Sequence, residues 1–201
     1  MSEFQMPCDT LYRIANAIPS PSPSLQPSWN TLRIDGDCVV ASDRTFLVAE
    51  KFGIGGEGIF HIVPDPAMIA QCKIEAQHGG RITFTVNEML GFAIAKTTFG
   101  WQTNTNLLYT GVVDEDWQKW RDIIKKATPA DASRGAMYWN TDTITRIAES
   151  SPSGGVVFEE NIDTSRPVLI RDITDYNWIG CFHPLPGASQ QVGATIPSWI
   201  K

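Results

Sequence analysis

The chain has 201 residues, enough to bury a sizeable core in one or two domains. Its formal charge of -6 excludes a surface coated on all sides with cations for nucleic acid, while a basic inner surface on an acidic body stays open, because the local field governs and not the sum. Cys8, Cys38, Cys72 and Cys181 are scattered without a Cys-x-x-Cys pair, and no run approaches the roughly 20 apolar residues of a membrane span. The N-terminus lacks the basic and apolar regions of a signal peptide, so the expectation is a soluble cytoplasmic protein with reduced thiols, no zinc site and no disulfide framework.

A coarse pattern of helix followed by strands occurs three times. In the first unit Leu11, Ile14, Ala15 and Ile18 fall at helical spacing behind Asp9, read as the N-cap. Pro19 stops that helix, and residues 19–27, with four prolines and three serines, read as a loop. Strands are expected at Leu32 to Ile34, Cys38 to Ala41 and Phe46 to Phe52, with Asp35-Gly36 as a hairpin signal.

The second unit opens on a β-branched and aromatic strand, Ile59 to Val63. Asp65-Pro66 then supplies an N-cap and a first-turn proline for a helix with Met68, Ile69 and Cys72 on its apolar face. Gly79-Gly80 ends it, and strands follow at Arg81 to Val86, Leu90 to Thr97 and Gly100 to Thr110. Trp117, Trp120, Ile123 and Ile124 fit a helical period, but the state of that stretch stays open. The third unit starts at Ala136 to Trp139 and passes through a helix near Thr141 to Glu149 with Ile144, Ile147 and Ala148 inward. After the turn cluster 150–155 it ends in strands at Val156 to Glu159, Val168 to Asp172 and Trp178 to Phe182.

Catalytic signals are weak. His61, His78 and His183 lack metal-ligand spacing, no serine sits in a nucleophile elbow, and the glycine-rich stretch 53–58 joins strand to strand as a turn. Asp35, Asp37 and Asp43 are conceivable metal carboxylates, but hairpin-turn duty explains two of them. No cofactor, no metal and no enzyme activity are expected.

Three segments carry a family resemblance. They are Ser42 to Leu47, within the strand pair running from Leu32 to Ala49; Trp117 to Lys126; and Val168 to Leu185, which includes Trp178-Ile179-Gly180-Cys181-Phe182-His183-Pro184-Leu185. In that order they resemble the bacterial-type DNA sliding clamp, the DNA polymerase III beta subunit family, over roughly residues 8 to 186. Two positions depart from the family pattern: Arg44 replaces the turn glycine, and Phe46 stands where the family carries a basic residue.

The resemblance implies an α+β DNA-clamp fold, in which half-domains of helix plus antiparallel sheet assemble into a ring. Residues 1–127 would form one complete clamp-like domain, with half-domains at about 1–55 and 56–127; residues 128–186 would add a further half-domain and 187–201 a flexible tail. If about twelve half-domains enclose a duplex, three per chain call for a cyclic homotetramer closed by one head-to-tail contact.

Such a ring is a processivity factor that encircles double-stranded DNA without sequence preference and tethers a polymerase or other clamp-binding protein, with a clamp loader as a further partner. The alternative is a clamp-derived module that sequesters a replication partner without encircling DNA. Candidate DNA-facing cations are Arg13, Lys73 and Arg146, which lie off the apolar stripes, and the group Lys119, Arg121, Lys125 and Lys126. For each cation alone, an ordinary solvated surface charge is the favoured reading. The pocket implied for a partner peptide takes apolar surface from Leu47, Ile123, Cys181, His183 and Leu185, framed by Ser42, Thr45, Phe46, Pro167 and Pro184. Plain core packing is the competing explanation for its aliphatic members.

Overall fold

In the computed structural model the described residues are 2–18, 30–43, 46–53, 58–108, 119–126, 141–159 and 167–182. Strand β1 (Ser2–Pro7) leads into helix α1 (Cys8–Ala15), then β2 (Leu32–Asp35), β3 (Cys38–Ser42) and β4 (Phe46–Lys51). The same order returns as β5 (Ile59–Ile62), α2 (Pro66–Ala76), β6 (Arg81–Asn87), β7 (Phe92–Thr97) and β8 (Gln102–Leu108). Helices α3 (Trp120–Lys126) and α4 (Thr141–Ser150) precede β9 (Val156–Glu159), β10 (Val168–Asp172) and β11 (Trp178–Phe182). The expected loop at 19–27, the start of the third unit at Ala136 to Trp139 and the tail 187–201 lie outside the described residues.

The first two units exchange their leading strands. β1 pairs with β6 along its whole length, from Ser2 opposite Val86 to Pro7 opposite Arg81, while β5 pairs with β2, from Leu32 opposite Ile62 to Asp35 opposite Ile59. The antiparallel order is therefore β1-β6-β7-β8-β5-β2-β3-β4-β11-β10-β9, and the third unit extends the sheet through β11 on β4. β1 is absent from the sequence reading because only Phe4 and Met6 alternate in it, too few to mark a strand. Helix α1 starts directly after Pro7 with no side-chain cap; Asp9 sits in its first turn and pairs with Arg13 at 2.8 Å, which corrects the expected cap. At α2 the expected cap is present, Asp65 accepting from the Ala67 amide at 2.8 Å with Pro66 behind it.

One core lies between the sheet and the helices α1, α2 and α4. Phe4, Met6, Ile82, Phe84 and Val86 project into it with Leu11, Ile14, Met68, Cys72 and Ile147, and Phe4 stacks on Phe84 at 4.9 Å between ring centres. β6 alternates buried and half-buried residues, the signature of a strand with one wet face. β3 and β4 do not alternate: from Val39 to Ala41 and from Phe46 to Ala49 every residue is buried. Val39, Ala41, Phe46 and Val48 face the helices, whereas Val40, Leu47 and Ala49 face the opposite side, where α3 covers them. This opposite side is called the outer face below.

A buried ion pair ties α1, β4 and α4 together. The Arg13 guanidinium donates to both Glu50 carboxylate oxygens at 2.7 and 2.9 Å and to the Ser150 carbonyl at 3.3 Å, while the Thr10 hydroxyl donates to Glu50 at 2.6 Å. Arg13→Ala leaves Glu50 buried without its cation and is expected to cost about 3–5 kcal/mol, whereas Arg13→Met with Glu50→Leu should recover most of the loss. Urea unfolding of the single and double variants measures both.

Candidate functional site

The outer face carries a second apolar cluster made by α3 and the centre of the sheet. Val40, Leu47, Ala49, Leu169 and Cys181 form its floor, with Trp120, Ile123 and Ile124 of α3 on top and Ile179 beside it. Leu47 stands directly opposite Cys181 across the β4–β11 ladder, so the strand pairing alone places them together. Three of the expected pocket residues, Leu47, Ile123 and Cys181, thus share one site, with Leu47 at 3 % and Cys181 at 2 % exposure. Burial pushes the Cys181 thiol up to about 12.

The other pocket residues divide. Ser42 is buried opposite Leu47 and donates its hydroxyl to the Phe46 carbonyl at 2.7 Å, tying the end of β3 to the start of β4. Phe46 corrects the expectation: its ring faces the helix side, 4.8 Å beneath the Arg146 guanidinium, because residues one apart on a strand point to opposite faces. Pro167 is buried just before β10. Thr45, His183, Pro184 and Leu185 lie outside the described residues.

Asp35 fastens α3 to the sheet. Its carboxylate accepts from Trp120 Nε1 at 2.9 Å, from the Arg121 guanidinium, and from Arg33 at 3.3 Å. Burial works to raise its pKa, but the hydrogen bonds from Arg121 and Trp120 outweigh it and hold the carboxyl below its ordinary value. Next to this group His61 is buried, 3.4 Å from the Thr31 hydroxyl and 3.4 Å from Arg33 Nη1. The role of Asp35 was not legible, since Asp-Gly in a hairpin already explained it; the helical period of Trp120, Ile123 and Ile124 was the available signal for the other half of the contact.

The candidate cations do not share one surface. Lys73 is exposed on α2 and lies over the Tyr12 ring at 5.3 Å. Arg13, expected off the apolar stripe, is only 9 % exposed and committed to Glu50 and Asp9; an arginine can span from a helix to a buried carboxylate on the sheet below. Arg146 is half-buried against Asp43 and near Asp142. Arg121 and Lys125 on α3, and Lys119 just before it, are exposed on the outer face, away from α1, α2 and α4. Lys126 ends the same helix. Asp37 pairs with Lys51 at 3.0 Å and Asp43 with Arg146, and among the described residues no group of three or more His, Cys, Asp or Glu is placed to hold a metal.

No protein-family model and no curated protein sequence matches the chain. Solved structures do. A DNA polymerase sliding clamp from Pseudomonas aeruginosa, crystallised with a ligand, aligns with a TM-score of 0.63 at 10 % identity over 91 % of this chain and 65 % of that one. The DNA polymerase III subunit beta from Borrelia burgdorferi, in complex with a natural product, aligns with a TM-score of 0.63 at 8 % identity over 91 % of this chain and 64 % of its own. A further Pseudomonas aeruginosa subunit beta structure gives 0.59 at 10 % over 92 % and 66 %.

The chain therefore has an α+β fold of the DNA-clamp class. Specifically, it is the fold of the DNA polymerase III beta sliding clamp, and the chain spans about two thirds of the length of those solved chains. Among the described residues, no helix is long and apolar enough to cross a membrane.

Burial of His61, reinforced by the Arg33 charge, lowers its pKa from 6.5 to about 4. The unfolded chain then binds a proton that the folded chain refuses, so stability falls as pH drops through the window from 6.5 to 4. The expected loss from this residue is up to about 3 kcal/mol. Urea unfolding at stepped pH should show a shallower slope in that window for His61→Gln.

Proposed function

We propose that the chain is a non-enzymatic clamp subunit of the cytoplasm, four copies of which close into a ring around double-stranded DNA and tether a polymerase or another clamp-binding protein, with a clamp loader to open the ring. The observation that carries this reading is one antiparallel sheet with α1, α2 and α4 all packed on the same face, in the fold of the sliding clamp. Residues 1–127 would act as a complete clamp domain and 128–186 as a half-domain added to it. The outer strands β1 and β9 each pair on one side only among the described residues, which leaves two edges for head-to-tail contact between copies. Partner tethering would use the outer-face cluster around Leu47 and Cys181, an apolar floor on internal strands of the sheet.

A specific observation favours the second reading, a clamp-derived module that binds a partner without encircling DNA. On the helix face Arg13 and Arg146 are tied to carboxylates, and Asp142 and Glu149 are exposed on α4, so the field there toward phosphate is weak. Light scattering on a sizing column separates the two: the ring predicts a mass of four chains at micromolar concentration, and one chain would support the module.

Retention on nicked circular duplex, lost when the circle is linearised, is the matching DNA measurement. Lys73→Glu on the helix face should reduce it several-fold at low salt, and Lys125→Glu on the outer face should leave it unchanged. The reverse order would place DNA on the α3 side.

A further inference from the structure

The floor of the outer-face cluster is continuous, but in this structure it is covered by a helix of only seven residues. A helix that short does not hold itself together in water, so α3 keeps its shape through what it touches. Its apolar contacts are Trp120, at 5 % exposure, with the half-buried Ile123 and Ile124 one turn on; Arg121, Asp122 and Lys125 are exposed. Among the described residues its main polar attachment to the sheet is the Asp35 carboxylate, which accepts from Trp120 Nε1 and pairs with Arg121, whose guanidinium lies 4.3 Å over the Trp120 ring and also reaches Cys38. Lys125 pairs within the helix, with Asp122 at 3.7 Å.

The floor does not depend on α3 for its own form. Leu47, Leu169 and Cys181 sit on strands held by the β4–β11 and β10–β11 ladders, and the same strands are packed from beneath by Phe46, Val48, Val168, Ile170 and Trp178. Lifting α3 would break its own contacts and leave those ladders complete.

We propose that α3 is a displaceable resident ligand of a peptide-docking platform, pinned by Asp35, and that the platform accepts in trans a short segment of the same chemistry. That chemistry is an indole followed three and four residues later by branched aliphatics, with a cation next to the indole for Asp35. The proposal deepens the partner-tethering role assigned above to this face and supplies its regulation: a partner gains the site by replacing α3. It rests on that role for its meaning, but its test needs neither DNA nor an assembled ring.

The cysteines report on the event. Cys181 lies under α3, whereas Cys8 and Cys72 are fully buried on the helix side and react only if the main core opens. Thiol labelling of the full chain, mapped by mass spectrometry, should find Cys181 nearly inert. With Trp120→Ala it should label about tenfold faster or more, with Cys8 and Cys72 unchanged. Asp35→Asn, which keeps the indole, should give a smaller rise at the same site.

A synthetic peptide copying residues 119–126, Lys-Trp-Arg-Asp-Ile-Ile-Lys-Lys, should restore protection of Cys181 in the Trp120→Ala chain, and the peptide with alanine in place of tryptophan should not. Cys181 labelling that stays slow in both variants, or rises only together with Cys8 and Cys72, overturns the displaceable helix. Absence of peptide protection overturns docking in trans. A monomeric mass or loss of DNA retention would defeat the ring and leave these outcomes untouched.

Discussion

The β3–β4 hairpin has no face it can leave in water, and the rest of the molecule is arranged around that constraint. Val39 and Ala41 alternate with Val40 on one strand, Phe46 and Val48 with Leu47 and Ala49 on the other, and all are buried. A strand pair that is apolar on both sides must be covered on both. On the helix side α1 and α4 cover it, fixed by the Arg13–Glu50 pair below and the Arg146–Asp43 pair at the turn. On the outer side, among the described residues, the cover is the short helix α3. Its single indole and two isoleucines close the second cluster, with Asp35 setting its position along the sheet.

Buried carboxylates set the connections elsewhere by the same logic: each is surrounded by donors, since an unpaired buried charge costs several kcal/mol. Asp172 accepts from the hydroxyls of Ser151 and Ser153 and from the amides of Ser153, Thr174 and Asp175. Burial opposes its charge, but these bonds prevail and hold its pKa well below the ordinary carboxylate range. One side chain thus joins the turn before β9 to the link between β10 and β11. Glu75 plays the same part for α2, accepting from Gln71 and Thr97, and it fits because Gly80 has no side chain. A Cβ there would stand 2.8 Å from the Glu75 Cβ.

Strands whose faces differ were legible, and so were helices with clean caps. Arg81 to Val86 alternates, Asp65-Pro66 is a start signal, and the three closing strands follow turn clusters, so each was placed nearly to its observed ends. The exchange of β1 and β5 between units was not legible, because strand partnership is a long-range choice that local periodicity does not encode. The outer-face site was half legible. The apolar runs of β3 and β4 announce two covered faces, and Leu47, Ile123 and Cys181 do converge, but the family resemblance put Phe46 with them and strand parity puts it on the far side. For the cations, sequence gives charge without depth. Arg13 and Lys73 read alike on paper; one reaches a buried glutamate and the other stays in solvent.

That difference bears on how an acidic chain with a clamp fold would meet DNA. Affinity for a duplex grows with the number of phosphates neutralised, and cations already paired to carboxylates neutralise few. Arg13 and Arg146 are paired on the helix side, and the exposed cations of α3 stand behind the sheet. If the ring forms, its hold on DNA would come mainly from enclosure, with exposed Lys73 on the helix side adding a screened attraction. The docking chemistry proposed for the chain lies instead on the outer face, where apolar floor, indole and carboxylate meet within one cluster. There the selectivity that the helix side lacks would be decided by which segment occupies the seat of Trp120.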